Sequence, residues 1–330
     1  MSAASPTTLP PTLEDVREAR DFIAAFLPLP TLLLRSDALA ASLGLDVRLK
    51  LESLLPTGAF KVRGGINLVG RDPTARAGLM AASTGNHGQS LAYAGARFEV
   101  PVTIFVPRGA NPLKVASMRA LGATVVEHGA DYDEARVECE RRAAHSGTRY
   151  VHSGDEPYLI AGVATATLEV LEAWPDVDVL VLPVGGGSGA AGASLAAKAL
   201  RPRIEIIGVQ SEGAAAAYLS WRAGEPLTTA AIETFAEGLA TRTSFALPQR
   251  ILRERLDDFV LVSDDELRRA MRALLLDAHV VAEGAGAAAT AAAWKLRDRL
   301  RGKRIALWVS GANATAASIQ AALAAGPLVA

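Results

Sequence analysis

The chain has 330 residues, of which 50% are hydrophobic and 21% charged, enough apolar material for one large domain or two compact lobes. Its 34 basic and 35 acidic residues leave a formal net charge of -1. No basic stripe stands out, so nucleic acid and anionic membrane surfaces are excluded as partners. The single cysteine, Cys139, rules out an internal disulfide and a thiolate zinc site. Its acidic neighbours Glu138 and Glu140 raise the thiol pKa, which marks it as structural rather than nucleophilic.

The opening segment, Met1–Pro11, is rich in Ser, Thr and Pro and lacks the basic start and apolar core of a secretory signal. No uninterrupted apolar run reaches the ~18 residues of a membrane span, so the expected compartment is the cytoplasm. Thr12, with Asp15 as reciprocal partner, caps a helix running to about Phe26. A strand near Asp46–Glu52 leads into Thr57–Gly65, where Lys61 sits between apolar residues and a glycine pair. Desolvation there disfavours the ammonium form, and a neutral amine can form a Schiff base with an aldehyde.

Further on, the strand Gly78–Ser83 ends at Ser83-Thr84-Gly85-Asn86-His87-Gly88, followed by a helix over Gln89–Arg97. The β-branched run Pro101–Pro107, a helix over Pro112–Leu121, the strand Ala123–Glu127, a helix over 132–146 and the strand Arg149–His152 complete that group. After Tyr158 a long helix runs to about Trp174. The apolar run Val177–Val184 then opens onto Gly185-Gly186-Gly187-Ser188-Gly189 and an Ala-rich helix. Ile204–Val209 and Phe259–Val262 are further strands, the latter feeding a helix with the capping box Ser263 and Glu266. A helix of small residues begins near Glu283, and Arg304–Val309 is the last core strand, ending at Ser310-Gly311-Ala312-Asn313.

Strands alternating with helices, several of them continuously apolar, specify an α/β fold with parallel sheets covered on both faces. The expected division is a small domain over 78–157 nested in a large domain made of 1–77 and 158–330, with a ligand cleft between them. Ligands in such folds bind beyond the carboxyl ends of strands, where three loops stand out. Ser83–Gly88 offers hydroxyls, an amide and a helix start to a carboxylate, or simply caps its helix. Gly185–Gly189 suits a phosphate. Gly185, Gly187 and Ala190 also satisfy G-x-G-x-x-A, so a nicotinamide-dependent dehydrogenase is an alternative, although Glu205 falls inside its strand rather than at its end. Ser310 suits a heterocyclic nitrogen, or ends its strand in a plain turn. A phosphate, an aldehyde and a ring nitrogen together describe pyridoxal 5'-phosphate.

With these motifs the chain resembles the pyridoxal-phosphate enzymes of fold type II, the tryptophan-synthase-β-like group, over about residues 12–325. Within them it looks like the threonine/serine dehydratases and serine racemases. The resemblance rests on Ala59–Gly64, Ser83–His87, Asp155–Gly162, Gly185–Gly189, Glu283–Ala287 and Ser310–Asn313, in that order. It implies two lobes, each a mostly parallel twisted sheet flanked by helices. It implies that Lys61 carries the cofactor as a Schiff base, that Phe60 packs by the ring, and that Asn86 bonds the phenolic oxygen. Gly185, Gly186, Gly187, Ser188 and Gly189 hold the phosphate, Ser310 meets the ring nitrogen, and Glu283 lies near the cofactor. Ser83, Thr84, Asn86 and His87 receive the substrate carboxylate, with Gly238 by the substrate side chain.

The implied activity is dehydration and deamination of a small hydroxy amino acid such as L-threonine or L-serine to a 2-oxo acid and ammonia, in a homo-oligomer, a dimer. Lys61 is the general base. A racemase or a β-replacement synthase on the same fold is the alternative. Thr84 stands where racemases carry a serine acid/base, and its methyl crowds that position. Gln210 and Ala216 stand where the resemblance leads one to expect the carboxylates of a divalent-cation site, so no metal is expected.

Overall fold

In a computed structural model, the structure describes residues 9–110 and 112–328. Most of the Met1–Pro11 segment therefore lies outside the described residues. Ten strands occur among them: β1 (Leu33–Arg35), β2 (Asp46–Leu51), β3 (Leu79–Ala82), β4 (Val102–Val106), β5 (Thr124–Glu127), β6 (Arg149–Tyr150), β7 (Val179–Pro183), β8 (Glu205–Ser211), β9 (Asp258–Val262) and β10 (Arg304–Val309). They form two sheets with helices between them, the α/β architecture expected from the alternation. Two units divide the contacts. One holds the described part of Met1–Leu27 with Lys61–Val163, and the other holds Pro28–Phe60 with the described part of Ala164–Ala330.

The first unit carries a four-stranded sheet in the order β5-β4-β3-β6, parallel throughout. The expected small domain, 78–157, lies within this unit, which also takes in the helices Leu13–Ile23 and Lys61–Arg71. Thr12 and Asp15 make both bonds of their capping box. The helix Lys61–Arg71 contains Gly64 and Gly65, residues that weaken an isolated helix. Close approach explains them: a Cβ on Gly65 would stand 2.3 Å from Ser90 Oγ, and one on Gly64 would stand 2.9 Å from the Leu159 carbonyl oxygen. β6 is only two residues long, shorter than the expected Arg149–His152, because the chain turns at His152.

The second unit carries a six-stranded sheet in the order β1-β2-β10-β7-β8-β9. Only β1, too short for a sequence pattern, runs antiparallel. Val179, Leu180, Val181, Ile305, Ala306 and Leu307 are fully buried, as strands covered on both faces require. Against this sheet lies the helix Gly284–Lys295, in which every residue from Gly284 to Ala293 is buried. Ser263 and Glu266 form the expected capping box at the helix Asp264–Asp277. A charged group is also buried here. Lys50 on β2 pairs with Glu169, and its Nζ donates to the Thr31 carbonyl at 2.9 Å. Thr31 in turn donates from its backbone N–H to Glu169 Oε2 at 3.0 Å and from Oγ1 to Glu52 Oε1 at 2.6 Å. Buried charges survive only when paired and hydrogen-bonded in this way.

Candidate active site

The loops singled out in the sequence follow β3, β7 and β10, at carboxyl ends of parallel strands. In the first unit, Ser83 closes the turn after β3. Its Oγ accepts from the backbone N–H groups of Gly85 at 3.2 Å and Gly88 at 2.9 Å, so the hydroxyl itself shapes the loop. The helix that follows begins at Asn86 and runs to Phe98, three residues earlier than expected, so Asn86 and His87 stand in its first turn. Its N-cap, Gly85, supplies no side-chain bond. The first N–H groups of a helix are where an anion gains most.

Lys61 opens the helix Lys61–Arg71. Its carbonyl accepts from Ser90 Oγ at 2.7 Å, and its Nζ donates to the Ser153 carbonyl at 3.1 Å. Burial pushes the Lys61 pKa down to about 8, so near neutral pH a useful fraction of the amine carries no proton. His87 is buried, and neither ring nitrogen reaches a hydrogen-bond partner at normal distance, although the Val151 backbone faces it. Burial first, then the positive charge of Lys61, with His152 also nearby, push its pKa down to about 3. His87 is therefore a neutral imidazole with hydrogen-bonding capacity to spare. In the same unit, Glu156 accepts from the His152 backbone N–H at 3.2 Å and from Arg149 at 2.6 Å, and Arg149 also meets Asp72 at 3.3 Å.

In the second unit the glycine loop joins β7 to the helix Ser188–Leu200. Gly187, with φ +89°, is the N-cap, and no side chain caps this helix. The loop is walled in. A Cβ on Gly185 would stand 2.1 Å from the Gly238 carbonyl oxygen, and one on Gly186 would stand 2.1 Å from the Phe245 ring. One on Gly189 would stand 2.9 Å from the Phe60 ring. After β10, the Ser310 carbonyl accepts from the Phe60 N–H at 3.0 Å, the Ala312 N–H donates to Gly58 at 2.8 Å, and Asn313 Nδ2 donates to Thr57 at 2.9 Å. The segment covalently preceding Lys61 is thus pinned to the loop after the last strand. Glu283 is buried beside Gly311, whose carbonyl accepts its N–H at 3.0 Å.

Two positions bear on the alternatives. Glu205 begins β8 rather than ending it and pairs with Arg299 and Lys303, so it cannot serve as the ribose-binding acid of a dinucleotide site. Gln210 accepts from the Tyr218 N–H at 3.0 Å, and Ala216 begins the helix Ala216–Ala223. Among the described residues no cluster of His, Cys, Asp and Glu has the makeup of a metal site. Sequence reasoning missed Ser90, Ser153 and Phe245. The first two act toward the Lys61 backbone and amine, and Phe245 acts by walling in Gly186; none belongs to a motif.

The cradle of glycines at an uncapped helix start fits a phosphate, and the lysine with a lowered pKa fits an aldehyde. Each feature, taken by itself, suits one end of a phosphorylated aldehyde, and both stand in parallel α/β units. The chain belongs to the pyridoxal-phosphate dependent enzyme family, whose model matches residues 25–311. Pyridoxal 5'-phosphate is its cofactor.

The chain is 38% identical over 304 residues to an L-threonine ammonia-lyase of Thermotoga maritima, covering 92% of this chain and 75% of that protein. It is similar in structure to a threonine deaminase of T.th., with a TM-score of 0.87 and 35% identity, covering 92% and 99% of the two chains. It is also similar to maize serine racemase, with a TM-score of 0.89 and 28% identity, covering 94% and 96%. Among the described residues no helix is long and apolar enough to cross a membrane.

Proposed function

We propose that this chain is a pyridoxal-phosphate dependent ammonia-lyase that converts a small hydroxy amino acid, L-threonine or L-serine, to a 2-oxo acid and ammonia. The observation that carries this is Lys61, an amine of lowered pKa hydrogen-bonded to the Ser153 carbonyl. When bound, the cofactor supplies an electron sink for charge developing at the substrate Cα. Lys61 would hold it covalently through its amine. Gly185, Gly186, Gly187, Ser188 and Gly189 would hold its phosphate, and Phe60, Asn86, Glu283 and Ser310 would serve its ring. The freed Lys61 amine takes the Cα proton. Thr84, Asn86 and the neutral His87 ring would receive the substrate carboxylate, Ser83 keeps that turn in shape, and Gly238 would lie by the substrate side chain. An uncharged His87 matters here. As a donor without charge it orients the carboxylate, and it leaves the nearby Lys61 free of a permanent cationic neighbour.

The similarity to threonine ammonia-lyases over most of both chains supports this reading. The maize racemase has a comparable fold, but Thr84 replaces the serine expected of a racemase, so elimination is favoured over inversion. The one-cysteine composition suits a reducing compartment such as the cytoplasm, and a homodimer follows from the family resemblance. The test is direct. Purified protein should absorb in the visible range, lose that absorbance in Lys61→Ala, and release 2-oxo acid from threonine or serine. A colourless protein that gains no absorbance on addition of pyridoxal phosphate would end this reading.

A further inference from the structure

We propose that His152 is a positioning residue for Lys61: its Nδ1 holds the N–H end of the Ser153–Gly154 peptide, and the C=O end of the same peptide holds the Lys61 amine. The geometry is explicit. His152 Nδ1 accepts from the Gly154 N–H at 3.2 Å and from the Asp155 N–H at 2.9 Å. The Ser153 carbonyl accepts from Lys61 Nζ at 3.1 Å. The peptide bond is planar and trans, so its N–H and C=O point in opposite directions. Fixing the Gly154 N–H on the imidazole therefore fixes the direction of the Ser153 oxygen. The base of this turn is held separately, by the His152 N–H on Glu156 Oε1 at 3.2 Å.

Two donors on Nδ1 leave no room for a proton there, so the ring is the neutral tautomer protonated on Nε2. Several groups face it: Asp155 in the turn, Glu140 and Arg136 from the helix Tyr132–Ser146, the Tyr150 ring on β6, His87 from the helix Asn86–Phe98, and Lys61. Asp155 and Glu140 favour an imidazolium, while Arg136 and Lys61 oppose it. Burial, the largest influence, decides for the neutral form and lowers the His152 pKa. A protonated Nδ1 would turn a donor toward two donors and release the peptide.

The functional meaning of this device rests on Lys61 being the reactive amine; its geometry does not. The full chain, freed of cofactor, is labelled with a trace of acetic anhydride across the pH range. The extent of acetylation at each lysine is read by peptide mass spectrometry. In His152→Leu the Lys61 amine loses its oriented acceptor, which favours the charged form. Its titration midpoint should then fall by about one pH unit, a tenfold change in the protonation equilibrium. The other lysines serve as internal standards. His152→Asn, whose Oδ1 accepts where Nδ1 does, should restore the wild-type midpoint.

An unchanged Lys61 midpoint in folded His152→Leu overturns the proposal. If that variant does not fold, histidine nitrogen NMR of the wild-type chain decides, because a protonated His152 Nδ1 overturns it equally. A protein that shows the shift but forms no 2-oxo acid refutes the ammonia-lyase reading and leaves this one standing. Turnover with an unshifted midpoint does the reverse.

Discussion

His87 makes the fold acid-sensitive in a way that can be measured. Its ring is buried and its pKa lies at about 3, because of burial and then the charge of Lys61. In the unfolded chain a histidine titrates near ~6.5. Below that pH the unfolded state binds a proton that the native state refuses, so stability is present above the unfolded value and is lost as pH falls toward the folded one. The slope is about 1.4 kcal/mol per pH unit, so lowering the pH from about 7.5 to about 5 removes about 2 kcal/mol through this residue alone. The assay is urea unfolding of wild type and His87→Gln at both pH values. Every other titrating group is common to the two proteins, so the difference in their pH-dependent losses isolates His87. The wild type should lose about 2 kcal/mol more than the variant over this interval. An equal loss in both proteins would mean that His87 is protonated in the folded state, and the neutral carboxylate donor would go with it.

The glycine loop Gly185–Gly189, proposed to hold the cofactor phosphate, should tolerate no side chain, and unequally. Gly185→Ala meets the Gly238 backbone, whereas Gly186→Ala meets the Phe245 ring, which can turn. Both should weaken cofactor retention, Gly185→Ala by about 1–3 kcal/mol or more, as followed by absorbance against added pyridoxal phosphate. Equal affinity in Gly185→Ala and wild type would refute the close packing. Glu169→Ala strands Lys50 as a buried charge and should cost roughly 3–5 kcal/mol in urea unfolding; a loss under about 1 kcal/mol would show that the pair is not buried in solution. Burial, followed by Glu140, pushes the Cys139 thiol up to about 12. Iodoacetamide should therefore leave native Cys139 unmodified and label it only in denaturant, and rapid native labelling would contradict its placement.

The parts of the site legible in the sequence are those that demand a particular residue type. A buried lysine beside a glycine pair, glycines packed too closely for a side chain and a serine that closes the β3 turn each leave a chemical trace. The helix Lys61–Arg71 left none, because Gly64 and Gly65 read as breakers until the packing of Ser90 and Leu159 against them is seen. Ser153 was invisible for a different reason: it contributes a backbone carbonyl to Lys61, which any residue could supply. Phe245 lies far along the chain from the glycine it walls in. β1 was missed because three residues are too few to establish a period of two. The helix starts at Asn86, three residues before the pattern of Gln89–Arg97, and the sequence does not reveal that Ser83 Oγ satisfies the N–H groups of Gly85 and Gly88.

The helix Gly284–Lys295 presents small residues on every side and is buried over ten consecutive positions, Gly284 to Ala293. Fitness measured across all substitutions would therefore show an unbroken block of intolerance here, because each added methylene overpacks a core at about 1–3 kcal/mol. Nothing in that block is assigned any chemistry; Glu283 stands just before it, at the N-cap. Anyone locating the reactive centre of this enzyme from mutational constraint would be drawn first to an alanine helix whose only task is to take up no space.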